Sequence, residues 1–153
     1  MVDRFERFSY AISEISRCWH KLAAEEMAKY GLKGPHALYL VTMRRHSDGI
    51  TAAQLCDVCG RDKADVSRAV SIMEEKGLIS RQGVNRNHYR ALLKLTAEGA
   101  TAAEHVCQRA SVAVELAGKG FSDAHREIFY TVLEMITANL QALSKGGLPQ
   151  AWE

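Results

Sequence analysis

Apolar residues at Phe5, Phe8, Ile12, Ile15, Trp19, Leu22 and Met27 recur every three to four positions. That is the spacing of one face of a helix, and it predicts a first helix from Phe5 to about Lys29. The segment "YGLKGP" ends it, and Pro35 suits the first turn of a second helix from about His36 to Arg45, apolar on most sides and therefore expected to be buried. "HSDG" closes that helix. "TAAQ" then spells a capping box, Thr51 capping and Gln54 reaching back, for a short third helix that stops at Gly60. Asp62 is placed to cap a fourth helix, with Asp65 assisting in its first turn and Val66, Ala69, Val70 and Met73 facing inward.

Past Gly77 the period changes. "LISRQGV" and "RALLKLT" are short β-prone segments separated by the polar turn "NRNHY", which reads as a two-stranded hairpin. Thr96 opens a long helix to about Leu116. "GKGFSD" interrupts it, and Ser122 or Asp123 caps a last helix with Ile128, Phe129, Val132, Leu133, Ile136, Leu140 and Leu143 on one stripe. The fold class is mainly α with a small β-hairpin. No internal repeat is present, and residues 145–153 read as a frayed tail.

A chain of 153 residues with 47% hydrophobic and 25% charged residues is one ordinary globular domain. No apolar run reaches the ~20 residues of a membrane span, and charges break the N-terminal stretch from the third residue, so no secretory signal is read and the cytoplasm is the expected location. Net charge is only +2, yet its distribution is uneven. Residues 61–96 carry 8 Lys/Arg against 4 Asp/Glu, and residues 97–153 carry 4 against 7. One basic region on a nearly neutral chain points to a surface for a polyanion.

"CDVC", Cys56 to Cys59, is the shortest spelling of a zinc or redox site. A structural zinc site needs four ligands, and neither a second such pair nor a histidine pair is present; His46 and His88 stand alone on either side. A redox pair opens a helix, where the dipole lowers a thiol pKa, whereas these two cysteines fall near a helix end. Both fit as small apolar residues facing the next helix. No metal or cofactor is expected, and Glu104, His105 and Cys107 have only a generic spacing.

What remains is helix, tight turn, helix and an arginine-bearing hairpin. A helix-turn-helix lays its second helix in the DNA major groove. Here the outward residues of that helix, Lys63, Ala64, Asp65, Ser67, Arg68 and Ser71, are short or charged. The hairpin adds Arg81, Asn85, Arg86, Asn87, His88 and Arg90 with no acid between Ser80 and Arg90, a set suited to phosphates or the minor groove. Solvated surface charge is the alternative for any one of them.

"ITAAQLCDVCGRDKADVSRAVSIMEEKGLISR" followed by "YRALLKLTAEG" resembles the winged-helix core of the MarR, or multiple-antibiotic-resistance-regulator, family. The resemblance implies a winged helix-turn-helix lobe at about 36–96 within a single domain, 1–153, flanked by dimerisation helices at about 3–30 and 97–144. It implies a homodimer that binds a palindromic operator on double-stranded DNA, as a ligand-responsive repressor. It makes Lys63, Ala64, Asp65, Ser67 and Arg68 the groove-facing set and Arg90 the wing arginine. His88 stands where the family often has aspartate, and Cys56 and Cys59 occupy the places of a small and an aliphatic core residue.

The effector cleft implied by the resemblance lies near Trp19, His20, His36 and Tyr39, residues suited to a small aromatic or lipophilic effector, with core packing and ordinary surface as the alternative. Other readings are an adaptor that binds protein in place of DNA, and a thiol- or metal-responsive regulator of the same fold. An enzyme is not expected: nucleophile elbow, phosphate loop, HExxH and paired carboxylates are all missing from the sequence.

Overall fold

Thr51 and Gly60 bracket one short helix and show how polar punctuation becomes geometry. The Thr51 hydroxyl accepts from the Gln54 amide at 3.2 Å while Gln54 Oε1 accepts from the Thr51 amide at 3.0 Å, a complete capping box. At the other end Gly60 takes a left-handed backbone (φ 59°), and the Arg61 amide then reaches back to the Cys56 carbonyl at 3.1 Å. The chain emerges turned, and Asp62 caps the next helix by accepting from the Asp65 amide at 2.8 Å.

The computed structural model describes residues 3–83 and 90–150. Its elements run α1 (Arg4–Ala28), α2 (His36–Arg45), α3 (Ala52–Cys59), α4 (Lys63–Glu75), β1 (Ile79–Gln82), β2 (Leu92–Leu95), α5 (Ala97–Ala117) and α6 (Asp123–Gly146). These are the helices and hairpin expected from the pattern, with Ser122, and not Asp123, capping α6 through the His125 amide. Helix α6 runs on through Lys145 and Gly146, two residues into the segment expected to fray. Among the described residues no helix is long and apolar enough to cross a membrane.

The chain divides into two compact units, Met1–Ser111 and Val112–Glu153. In the first, α2 contributes Tyr39, Leu40 and Met43 to the core, α3 Leu55, α4 Val66, Ala69, Val70 and Met73, and α5 Ala102, Ala103 and Val106. Each fully buried aliphatic side chain stabilises the unit by roughly 1.5–3 kcal/mol. The strands pair antiparallel with Ile79 opposite Leu95 and Gln82 opposite Leu92. Ile50, in the loop before α3, adds a bridge to Leu93, exchanging amide bonds of 3.1 and 2.8 Å. The hairpin is thereby fastened to the helix-turn-helix on its inner side. Thr96 joins it to α5: its hydroxyl donates to the Gly77 carbonyl at 2.6 Å and accepts from the Gly99 amide at 3.0 Å.

In the second unit α6 is amphipathic, yet none of its residues is buried. Helix α1, in the first unit, is also amphipathic and has Met27 as its one buried residue. Phe5, Ile15 and Trp19 on α1, and Ile128, Phe129 and Leu133 on α6, stay between 42% and 72% exposed.

Candidate nucleic-acid interface

Helix α4 sits on the core by Val66, Ala69, Val70 and Met73, spaced so that one side alone is buried. The opposite side must then be outward. Lys63, Ala64, Ser67, Arg68 and Ser71 are all exposed there. Thirteen residues make a rod of about 20 Å, long enough to lie in a major groove about 12 Å wide.

Charge on this face is less simple than composition implies. Asp62 uses its carboxylate on the helix cap. Asp65, expected to face the groove, is half-buried, and its Oδ2 accepts a hydrogen bond from the Tyr39 hydroxyl at 2.9 Å. Its Oδ1 lies 3.8 Å from Arg68 Nη2, while the Arg68 side chain stays 70% exposed. Both acids are thus turned to structural partners, and Arg68 projects outward.

On the hairpin, Arg81 is held back: its Nε donates to both Glu74 oxygens at 3.0 and 3.2 Å, and its side chain is only 26% exposed. This ion pair ties β1 to the last turn of α4. Arg90 is exposed and makes no ion pair or hydrogen bond among the described residues. Asn85, Arg86, Asn87 and His88 lie outside the described residues.

The four residues read as an effector cleft fall into two environments. His36 and Tyr39 are core residues, 7% and 1% exposed, with their rings 6.5 Å apart. Trp19 and His20 are exposed on α1, His20 Nδ1 lying 3.3 Å from the Ser16 hydroxyl. No hydrogen bond or ring contact joins the two pairs. His36 Nδ1 accepts from the Lys33 amide at 3.2 Å, so this nitrogen carries no proton in the folded chain. Burial, and secondarily Lys33, lowers the His36 pKa; Asp65 acts weakly the other way.

The sign of the consequence follows from linkage. Below the ordinary histidine value of about 6.5 the unfolded chain binds the proton more readily than the folded one, so stability falls as pH drops through that window. Urea midpoints of the parent chain are expected to decline more between pH 7.5 and pH 5 than those of His36→Gln, whose amide oxygen also accepts from Lys33. Equal declines would place His36 outside the linkage.

Cys56 and Cys59 pack against the core, and the Cys59 thiol donates to the Thr42 hydroxyl at 3.5 Å. Burial pushes the Cys56 thiol up, with Asp57 and Asp62 adding to it, the reverse of what a reactive thiolate requires. Glu104 pairs with Arg44, linking α5 to α2, and His105 Nδ1 sits 2.7 Å from the Tyr30 hydroxyl, linking α5 to the turn after α1. Among the described residues no three His, Cys, Asp or Glu side chains are grouped to hold a metal ion.

Two of the links that α4 makes are not legible in the sequence, Tyr39 to Asp65 and Arg81 to Glu74. The first has a faint signal: Tyr39 carries a hydroxyl on a helix otherwise read as core, and a buried hydroxyl needs a partner.

The geometry is that of solved winged-helix regulators. A MarR transcriptional regulator from Methanosarcina mazei Go1 superposes with a TM-score of 0.78 at 24% identity, covering 94% of this chain and 94% of that one. A putative MarR family regulator from Listeria monocytogenes, complexed with a 26mer DNA, also gives 0.78, at 23% identity over 99% of this chain and 100% of that one. The Staphylococcus aureus MepR–DNA complex gives 0.77 at 19% identity over 87% and 97%. No curated protein matches this chain in sequence. In sequence, the MarR family model matches residues 30–91, from just past the end of α1 up to β2. The chain therefore has the fold of these solved regulators, and its residues 30–91, which hold the helix-turn-helix with Arg68 and the hairpin with Arg90, are similar in sequence to the MarR family.

Proposed function

We propose that this protein is a sequence-specific DNA-binding transcriptional regulator acting as a homodimer on a palindromic operator. The observation that carries this reading is the outer face of α4. It is backed by a core, has its Asp62 and Asp65 carboxylates each engaged by a hydrogen bond within the protein, and presents Ser67, Arg68 and Ser71 outward. Such a face reads base edges in the major groove, with arginine supplying the bidentate contact that selects guanine. Lys63 and Ala64 enter at the N-terminal end, where the helix dipole favours phosphate. On the hairpin Arg90 serves the backbone or minor groove, together with Asn85 and Arg86, while Arg81 contributes through its hold on Glu74. Supporting this are the two similar proteins solved on DNA.

Dimerisation supplies the occupant for the apolar faces of α1 and α6. A two-fold dimer sets two recognition helices about 34 Å apart, one turn of B-DNA, which makes the operator palindromic. Leu133→Glu places a charge on the α6 stripe and is expected to turn a dimer into a monomer by sedimentation, weakening operator binding by at least tenfold. A variant that stays dimeric would move the interface off α6. In this reading the dimer represses by occupying a promoter, and a small aromatic or lipophilic effector releases it. Selection from a random duplex pool tests the whole: recovered sites should be inverted repeats with half-sites about one helical turn apart. Recovery of no preferred sequence would contradict it.

A further inference from the structure

We propose that Tyr39 and Asp65 form a positioning pair that sets the roll of α4, so that Asp65 influences sequence preference through Tyr39 and Arg68 and touches no base itself. This rests on the DNA-binding reading above.

Tyr39 belongs to α2 and is 1% exposed, and its hydroxyl meets Asp65 Oδ2 at 2.9 Å across the core. Asp65 lies in the first turn of α4. Its amide bonds Asp62 at 2.8 Å, and its second oxygen lies 3.8 Å from Arg68 Nη2. One residue therefore connects the core helix, the helix cap and the outward arginine. An oxygen pointed at a buried phenol is not available to accept from a cytosine amino group. Burial first, and the Asp65 carboxylate second, holds the Tyr39 pKa well above the ordinary phenol value, so the hydroxyl remains a donor at any working pH.

The apolar contacts of Val66, Ala69, Val70 and Met73 fix how close α4 lies but constrain its rotation weakly, because hydrophobic packing is non-directional. A directed hydrogen bond at one edge of the buried face supplies that constraint. A roll of about 20° at a side-chain radius of about 5–6 Å moves the tips of Ser67 and Arg68 by about 2 Å. That exceeds the tolerance of a bidentate base contact. Non-specific attraction to phosphates would survive such a roll, because it depends on charge and not on register.

The test uses the full-length protein and the duplex it selects from a random pool, with a scrambled duplex as control. Tyr39→Phe removes only the hydroxyl, and Asp65→Ala removes the acceptor. Each is expected to cut the selected-to-scrambled affinity ratio about tenfold, leaving scrambled-duplex affinity and its salt slope unchanged. The double variant should be no worse than the more severe single one, since both delete the same bond. Asp65→Asn, whose amide oxygen accepts the same hydrogen bond, should retain most of the preference. Additive losses, a neutral Tyr39→Phe beside a damaging Asp65→Ala, or a changed preferred base in Asp65→Asn would each show Asp65 reading DNA directly and overturn the proposal. A parent protein that binds neither duplex would instead defeat the DNA-binding reading, and the pair's role with it.

Discussion

Gly99→Ala is expected to destabilise the winged-helix unit by on the order of 3–5 kcal/mol, enough to unfold much of it at ordinary temperature. A β-carbon at that position would stand 1.9 Å from the Leu78 carbonyl oxygen and 2.8 Å from its carbon. Those are backbone atoms of the turn joining α4 to β1, and they cannot swing aside as a side-chain tip can. Nor can α5 retreat cheaply. Its first turn is held by the Thr96 amide on the Leu78 carbonyl at 3.0 Å and by the Thr96 hydroxyl on the Gly77 carbonyl at 2.6 Å. Withdrawal would sacrifice those bonds at about 0.5–1.5 kcal/mol each. Alanine's better helix propensity returns only about 1 kcal/mol. Urea denaturation followed by circular dichroism should show the loss, and an unchanged midpoint would mean that α5 does not approach the turn this closely.

Arg68→Ala carries the second large effect, on binding and not on folding. The side chain is 70% exposed and its one ion pair is long, at 3.8 Å, so its removal should leave thermal stability within about 0.5 kcal/mol of the parent. Operator affinity should nevertheless fall by on the order of 1–3 kcal/mol per half-site, with preference relaxed at one operator position. A uniform loss on every duplex would make Arg68 a phosphate contact. Arg81→Ala should behave in the opposite way. Its guanidinium is engaged by Glu74, so its removal frees the hairpin from α4 before it removes any charge available to DNA.

The contrast between these arginines explains how much is legible in the sequence. The caps at Thr51, Asp62 and Ser122 act over three residues, and their spelling alone locates the helices. The inward stripe of α4 follows from its period, and so does the outward face opposite it. Partners distant along the chain are a different matter. Nothing local pairs Tyr39 with Asp65, Glu74 with Arg81, or Ile50 with Leu93, and each pairing depends on how the elements are stacked. Asp65 illustrates the difference: its place in the first turn of α4 follows from its spacing to Asp62, while the bond from its Oδ2 to Tyr39 on α2 does not. His36 and Tyr39 group with Trp19 and His20 in sequence because neighbouring helices carry them, yet α2 is apolar on most sides, so its period does not fix which residues meet the core. The apolar stripes of α1 and α6 are equally plain in sequence, but a stripe does not name the surface that covers it.

In the function proposed above, the α4 face and the hairpin neutralise DNA phosphates around a base-reading helix. Duplex affinity measured by fluorescence anisotropy across salt concentrations tests this most directly. Counterion release predicts a straight fall of log affinity with log salt, amounting to roughly 10³-fold or more between about 50 and 200 mM where six or more phosphates are neutralised. Arg90→Ala should flatten that line by about one unit for each phosphate that the arginine neutralises in the parent. Affinity that stays level as salt rises, with Arg90→Ala tracing the parent's line, would rule out phosphate neutralisation by this face.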